Sequence, residues 1–162
     1  MESNDCLAMA KELMCSNNGF LSSSTSWDAY TLAQWLGEGC KCVYCGKDMM
    51  ESYDTAYRGS CRVHLLPVKT YEELANEYWN RVLSCVTCNG FKGVFDPNEK
   101  AKAYVKGSRQ PITRSQRSDL MKIAKEYVEH ERALREAIFK KEKELIIQEL
   151  QTMQSQAQAA GA

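Results

Sequence analysis

Apolar side chains recur at helical spacing in three parts of the chain and suit a strand in a fourth. Leu7, Ala8, Ala10, Leu13 and Met14 predict an amphipathic helix over residues 4–16, stopped by Asn17, Asn18 and Gly19. The run Ser22 to Thr25 reads as a loop. Trp27, Tyr30, Leu32, Ala33, Trp35 and Leu36 then predict a second helix, with Ser26 as a partial start signal and Gly37 as its end. Residues 47–58 form a polar connection anchored by Met49, Met50, Tyr53 and Tyr57, and residues 60–66 suit a strand ended by Pro67. Residues 71–79 are acidic and read as a helical turn or a loop. A short helix is expected over 89–95, and another from Pro97 or Asn98 through Val105, stopped at Gly107.

The longest periodic stretch lies beyond Pro111. Thr113 or Ser115 caps a helix that runs from about Ser118 to Met153 with no Gly or Pro inside it. Leu120, Ala124, Tyr127, Leu134, Ile138 and Leu145 form a stripe near heptad spacing, broken by Glu131 and Lys141. Such a helix either packs on the core and continues beyond it, or joins a homodimer or protein partner. The Gln- and Ala-rich run after Gln151 is expected to be frayed or disordered.

Composition narrows the class. A chain of 162 residues, 44% of them hydrophobic and only three of them proline, is sized for one domain with an appendage and is not a disordered sequence. The net charge of zero hides an uneven spread. Residues 98–125 carry Lys100, Lys102, Lys106, Arg109, Arg114, Arg117, Lys122 and Lys125 against Glu99 and Asp119. That patch reads either as a solvated surface or as a track for a phosphate backbone. No stretch approaches the roughly 20 apolar residues of a membrane span. The start, Met1-Glu2-Ser3-Asn4-Asp5, puts acid where a secretory leader would be cationic, so the expectation is a cytoplasmic protein with reduced cysteines.

Eight cysteines then need roles. Cys42 and Cys45 form one Cys-x-x-Cys pair, followed by Gly46, and Cys85 and Cys88 form a second, followed by Asn89. Two such turns deliver four thiolates to a tetrahedral zinc ion and leave no open coordination position, which makes the zinc structural. Cys40 competes as a ligand only at a poorer spacing. Cys6 and Cys15 read as small buried helical side chains, and Cys61 as strand packing. Thirty-nine residues separate Cys45 from Cys85, so the ion would clamp an inserted unit, and that unit holds His64, Pro67 and Asn80. The other histidine, His130, lies among charges on the long helix and reads as surface.

At Cys42, Cys45, His64, Pro67, Asn80, Cys85, Cys88, Asn89 and Lys92 the chain resembles the HNH endonucleases, the ββα-metal nucleases, over about fifty residues. The resemblance implies an α+β, mostly helical fold with a small ββα-metal core at residues 40–97. Residues 1–39 are expected as an N-terminal helical cap, and residues 98–162 as a basic linker and long C-terminal helix. It also implies metal-dependent hydrolysis of DNA, or of RNA, to products with a 5′-phosphate, in a setting such as phage defence. His64 would be the general base and Asn80 would hold the loop around it. Asn89 would bind a catalytic divalent ion such as Mg2+, with Lys92 and Arg81 facing the phosphate and Lys100, Lys102 and Lys106 as further nucleic-acid contacts. One position departs from the family: Val63 stands where Asp or Glu usually ligates the catalytic metal. Asp48, Glu51, Asp54, Glu72 or Glu73 could substitute, the ion could be held weakly, or this copy could be an impaired or partner-activated binding module.

Overall fold

The computed structural model describes residues 3–16, 29–108 and 110–160. The expected stop at Asn17–Gly19, the serine loop, Ser26, Trp27 and Arg109 lie outside them. The chain divides into two compact units, residues 1–129 and residues 130–162. The fold is α+β, with one small antiparallel sheet and a long C-terminal helix.

Helix α1 (Ser3–Ser16) and helix α2 (Ala29–Gly37) pack against each other through Cys6, Ala10, Leu32 and Ala33, with Leu7, Met14 and Leu36 beside them. Cys6, Ala10 and Met14 are four residues apart, so one stripe of α1 meets its neighbour. Cys15, expected to be buried, is exposed because it falls off that stripe. Trp35 turns the other way, into the main core.

That core is built around a hairpin and the helix that follows it. Strand β1 (Ser60–His64) pairs antiparallel with β2 (Arg81–Cys85), in a register that sets Ser60 opposite Cys85 and His64 opposite Arg81. Helix α3 (Tyr53–Tyr57) precedes β1 and is capped by the Ser52 hydroxyl, which accepts the Thr55 N–H at 3.1 Å. Gly59 joins the two at a contact where a Cβ would stand 2.9 Å from the Thr55 carbonyl oxygen. Of the expected anchors before β1, Met49 is fully buried, whereas Met50 and Tyr53 are exposed; α3 turns Tyr53 outward.

Two 3-10 turns, Glu72–Leu74 and Tyr78–Asn80, fill the link between the strands. Helix α4 spans Val86–Lys92, three residues earlier at each end than the sequence predicts. The Cys85 sulfur accepts the Cys88 N–H at 3.4 Å, so the cysteine pair itself starts the helix, and Gly93 ends it at φ 49°. Helix α5 covers only Asn98–Ala101, because Lys102 turns left-handed and the chain through Tyr104 is held by the Asn98 side chain instead.

Helix α6 runs Arg114–Ala160. It opens on a reciprocal cap: the Thr113 hydroxyl accepts the Gln116 N–H, and the Gln116 side-chain oxygen accepts the Thr113 N–H. Leu120, Ala124 and Val128 enter the main core. In the second unit the helix carries Arg132–Glu136 and Arg135–Glu131 ion pairs, and Leu134, Ile138, Leu145 and Leu150 are exposed. The segment after Gln151, expected to fray, stays helical to Ala160. Among the described residues no helix is long and apolar enough to cross a membrane.

Candidate metal centre and adjoining cleft

Cys42, Cys45, Cys85 and Cys88 converge from a loop, the end of β2 and the first turn of α4. Their sulfur atoms all lie within 4.8 Å of one another. Backbone bonds build the first turn: Cys42 N–H donates to Lys47 O at 2.9 Å and Gly46 N–H to Cys42 O at 2.8 Å, with Gly46 at φ 72°. Val43 N–H donates to Leu83 O at 3.0 Å and docks that turn on β2. Sulfurs about 2.3 Å from a tetrahedral zinc would stand about 3.8 Å apart, and Cys45 Sγ and Cys85 Sγ are 3.9 Å apart. The donor set therefore fits a structural metal. Hydrogen bonds from Cys85 and Cys88 favour the Cys42 thiolate and hold its pKa far below the thiol range, whereas contacts with Cys42 and Cys85 push Cys88 up. Cys40 is not one of the four.

His64 lies at the end of β1, half-buried. Its Nε2 is 3.1 Å from the Ala75 carbonyl oxygen. A carbonyl only accepts, so Nε2 carries the proton and Nδ1 keeps the lone pair. Burial, assisted by Arg81, Lys92 and Arg62, lowers the imidazole pKa below its ordinary value and leaves the ring neutral near neutral pH. Asn80 secures the same segment from below. It is completely buried, accepts the Leu66 N–H at 2.7 Å and donates to Leu66 O at 3.1 Å and Leu74 O at 3.4 Å, two residues past His64 and one before Ala75.

An open cleft of about 260 Å3 runs past His64. Its walls are Arg62–His64, Pro67–Lys69, Asn89 and Lys92–Val94. The hairpin and α4 thus bring His64, Asn89 and Lys92 to one place. Lys92, expected to face the phosphate, is 2% exposed, and its Nζ donates to Phe95 O at 3.2 Å. Burial pushes its pKa down to about 8, against the opposing pull of Asp96.

Other expected residues sit elsewhere. Arg81 donates to Ala75 O at 3.1 Å and Asn76 Oδ1 at 3.2 Å, so it braces the turn that holds His64 and does not line the cleft. Lys100, Lys102 and Lys106 are exposed and do not line it either. Arg62 and Lys69 do, although the motif did not single them out. Arg62 is two residues before His64 on the same face of β1, which alternation alone predicts.

Among the described residues no carboxylate lines the cleft. Val63 is buried and paired with Val82, an aliphatic cross-strand contact. Of the possible substitutes, Asp48, Glu51, Asp54 and Glu72 are exposed away from the cleft, and Glu73 accepts the Tyr104 hydroxyl and the Gly107 N–H. Among the side chains that line it, Asn89 alone offers a neutral oxygen. A hard dication such as Mg2+ needs several oxygens, with carboxylate among them, so the residues present do not fit it.

Compared with models of known protein families and with curated proteins, the sequence matches none.

Proposed function

We propose that this protein is an endonuclease of the HNH type, with a zinc-clamped hairpin and helix that hydrolyse a phosphodiester of DNA. The observation that carries the reading is the joint placement of His64 and Asn89 on one cleft, with the Nε2 proton of His64 committed to Ala75 O. Zinc, held by Cys42, Cys45, Cys85 and Cys88, would supply a cross-link between the two ends of the inserted unit and no chemistry at the cleft. His64 Nδ1 takes the proton from the attacking water. Asn80 and Arg81 fix the Leu66 and Ala75 backbone on which the imidazole is oriented. The Lys92 ammonium offsets charge gathering on the phosphate, and Asn89 positions it. No step here depends on a second metal.

The missing carboxylate favours one other reading, a module of the same build that grips nucleic acid without cutting it. Nicking of supercoiled plasmid by the zinc-loaded chain separates the two. Incubations run without added divalent ion and with Mg2+, Mn2+ and Ni2+, beside His64→Ala and His130→Ala. The endonuclease reading expects nicking that falls by about 100-fold or more in His64→Ala, the usual loss of a general base, and is unchanged in His130→Ala. Absence of nicking under every condition leaves the gripping module.

A further inference from the structure

The cleft beside His64 carries charge of one sign. Arg62, Lys69 and Lys92 line it, with no Asp or Glu among its walls in the described residues. The carboxylate that acts on Lys92 is Asp96, and both of its oxygens are engaged: Oδ2 by the Tyr71 hydroxyl and Oδ1 by the Asn98 N–H, each at 2.9 Å. Among the described residues no carboxylate oxygen is within ion-pair distance of Lys92 Nζ, whose single protein partner is the Phe95 carbonyl. An ammonium has three donors, and an ammonium this buried is costly without a counter-charge. Among the described residues Lys92 therefore lacks an anionic partner within ion-pair distance.

Resting on the reading of this cleft as a nucleic-acid site, we propose that Lys92, with Arg62 and Lys69, holds a backbone phosphodiester directly, with no divalent cation between protein and phosphate. The geometry is that of an anion site. A dication entering it meets three cationic side chains and one side-chain amide oxygen, that of Asn89, whereas a phosphate supplies the counter-charge that Lys92 lacks and brings its own acceptors. A cavity of about 260 Å3 lies below the range of drug-sized pockets, which suits a phosphate and its adjoining sugar. The depressed pKa of Lys92, about 8, agrees with this, because burial without a partner lowers it and a bound anion restores it.

Fluorescence anisotropy of a labelled duplex oligonucleotide, titrated with the zinc-loaded full chain, tests the proposal. Titrations run with no added divalent ion and with Mg2+ or Mn2+. Binding is expected without divalent ion and is not strengthened by adding one. Lys92→Met is expected to weaken it about tenfold, the loss of one charge-assisted contact. Because Lys92 is buried, the exposed pair Arg62→Ala/Lys69→Ala is measured beside it. That pair is expected to weaken binding and to flatten the slope of log affinity against log salt by about two. Binding that appears only with divalent ion overturns the proposal, as does binding that neither variant changes. Displacement of the oligonucleotide by stoichiometric inorganic phosphate also overturns it, since the site would then be one for free phosphate. Cleavage plays no part in the readout, so a chain that binds but never cuts supports this inference and ends the endonuclease reading.

Discussion

The four-cysteine cluster and the cleft beside His64 are built from the same hairpin and the same helix, yet they differ in what they hold. The cluster has every donor its ion needs, all on short turns, and Cys88 is fully buried. Among the described residues the cleft is lined by an imidazole, an amide and three cationic side chains, and by no carboxylate. Cys88 and Asn89 are adjacent in sequence, so one turn of α4 serves a site rich in anionic ligands and a site with none. A scaffold can thus be complete while the chemistry beside it is set by which charge is missing.

The largest expected effect breaks the scaffold side of that comparison. Cys88→Ser is expected to remove the metal, whose binding contributes about 10 kcal/mol or more in small structural zinc units. Zinc per chain should fall to near zero and the cooperative thermal transition should be lost. Retention of a full zinc equivalent would show that the cluster does not hold it. Asn80→Ala comes next. It strips the bonds to Leu66 N–H, Leu66 O and Leu74 O and strands a buried donor, at a cost of about 2–4 kcal/mol. Denaturant unfolding measures that cost, and plasmid nicking should fall with His64 itself untouched.

These two residues also mark how much was legible in the sequence. Cysteine spacing singled out the four clustered cysteines because Cys-x-x-Cys is a local geometry, whereas strand Arg81–Cys85 and its pairing with Ser60–His64 were not read from the sequence. Asn80, expected to hold the loop around His64, bonds Leu66 N–H, Leu66 O and Leu74 O. What stayed hidden depends on three dimensions. Lys92 lies one turn past Asn89 and could face either way; only the packing of α4 and the Phe95 carbonyl bury it. Whether Asp48, Glu51 or Glu73 could stand in for an acid at Val63 was open in sequence, because loops decide it, and the loops place none of them at the cleft. Helix α5 ended early because Asn98 satisfies the Ala103 and Tyr104 N–H groups with its own side chain, a local competition that apolar spacing does not report.

A smaller effect concerns Glu38, which joins the loop before the cluster to the hairpin. Its carboxylate accepts the Leu83 N–H at 2.6 Å and lies 3.5 Å from Arg117. Burial dominates both contacts and raises its pKa from 4.5 to about 7. A carboxyl that binds its proton more tightly when folded makes stability fall as pH rises from about 4.5 to about 7, and the loss is complete above that. Glu38→Gln keeps the acceptor for Leu83 and removes the titration. Its urea midpoint should exceed that of the parent above pH 7, with the difference shrinking on acidification; equal midpoints throughout would show that Arg117 offsets the burial. The smallest effect is expected from Lys100→Ala/Lys102→Ala/Lys106→Ala. These side chains are exposed and outside the cleft, so each should change stability by no more than about 0.5 kcal/mol, and oligonucleotide affinity should fall less than in the Arg62→Ala/Lys69→Ala pair. A larger fall would move the nucleic-acid contact from the cleft to the basic patch.

The measurement that bears most directly on the account is the pH dependence of plasmid nicking by the zinc-loaded chain, with His64→Ala in parallel. A base held neutral by burial and tied at Nε2 predicts a rate that rises with pH through a midpoint below 6.5 and stays high until Lys92 begins to lose its proton near pH 8, and a variant that lacks this rise. Nicking with the same profile in His64→Ala, or a midpoint well above 6.5, would contradict the assignment of His64 as the base.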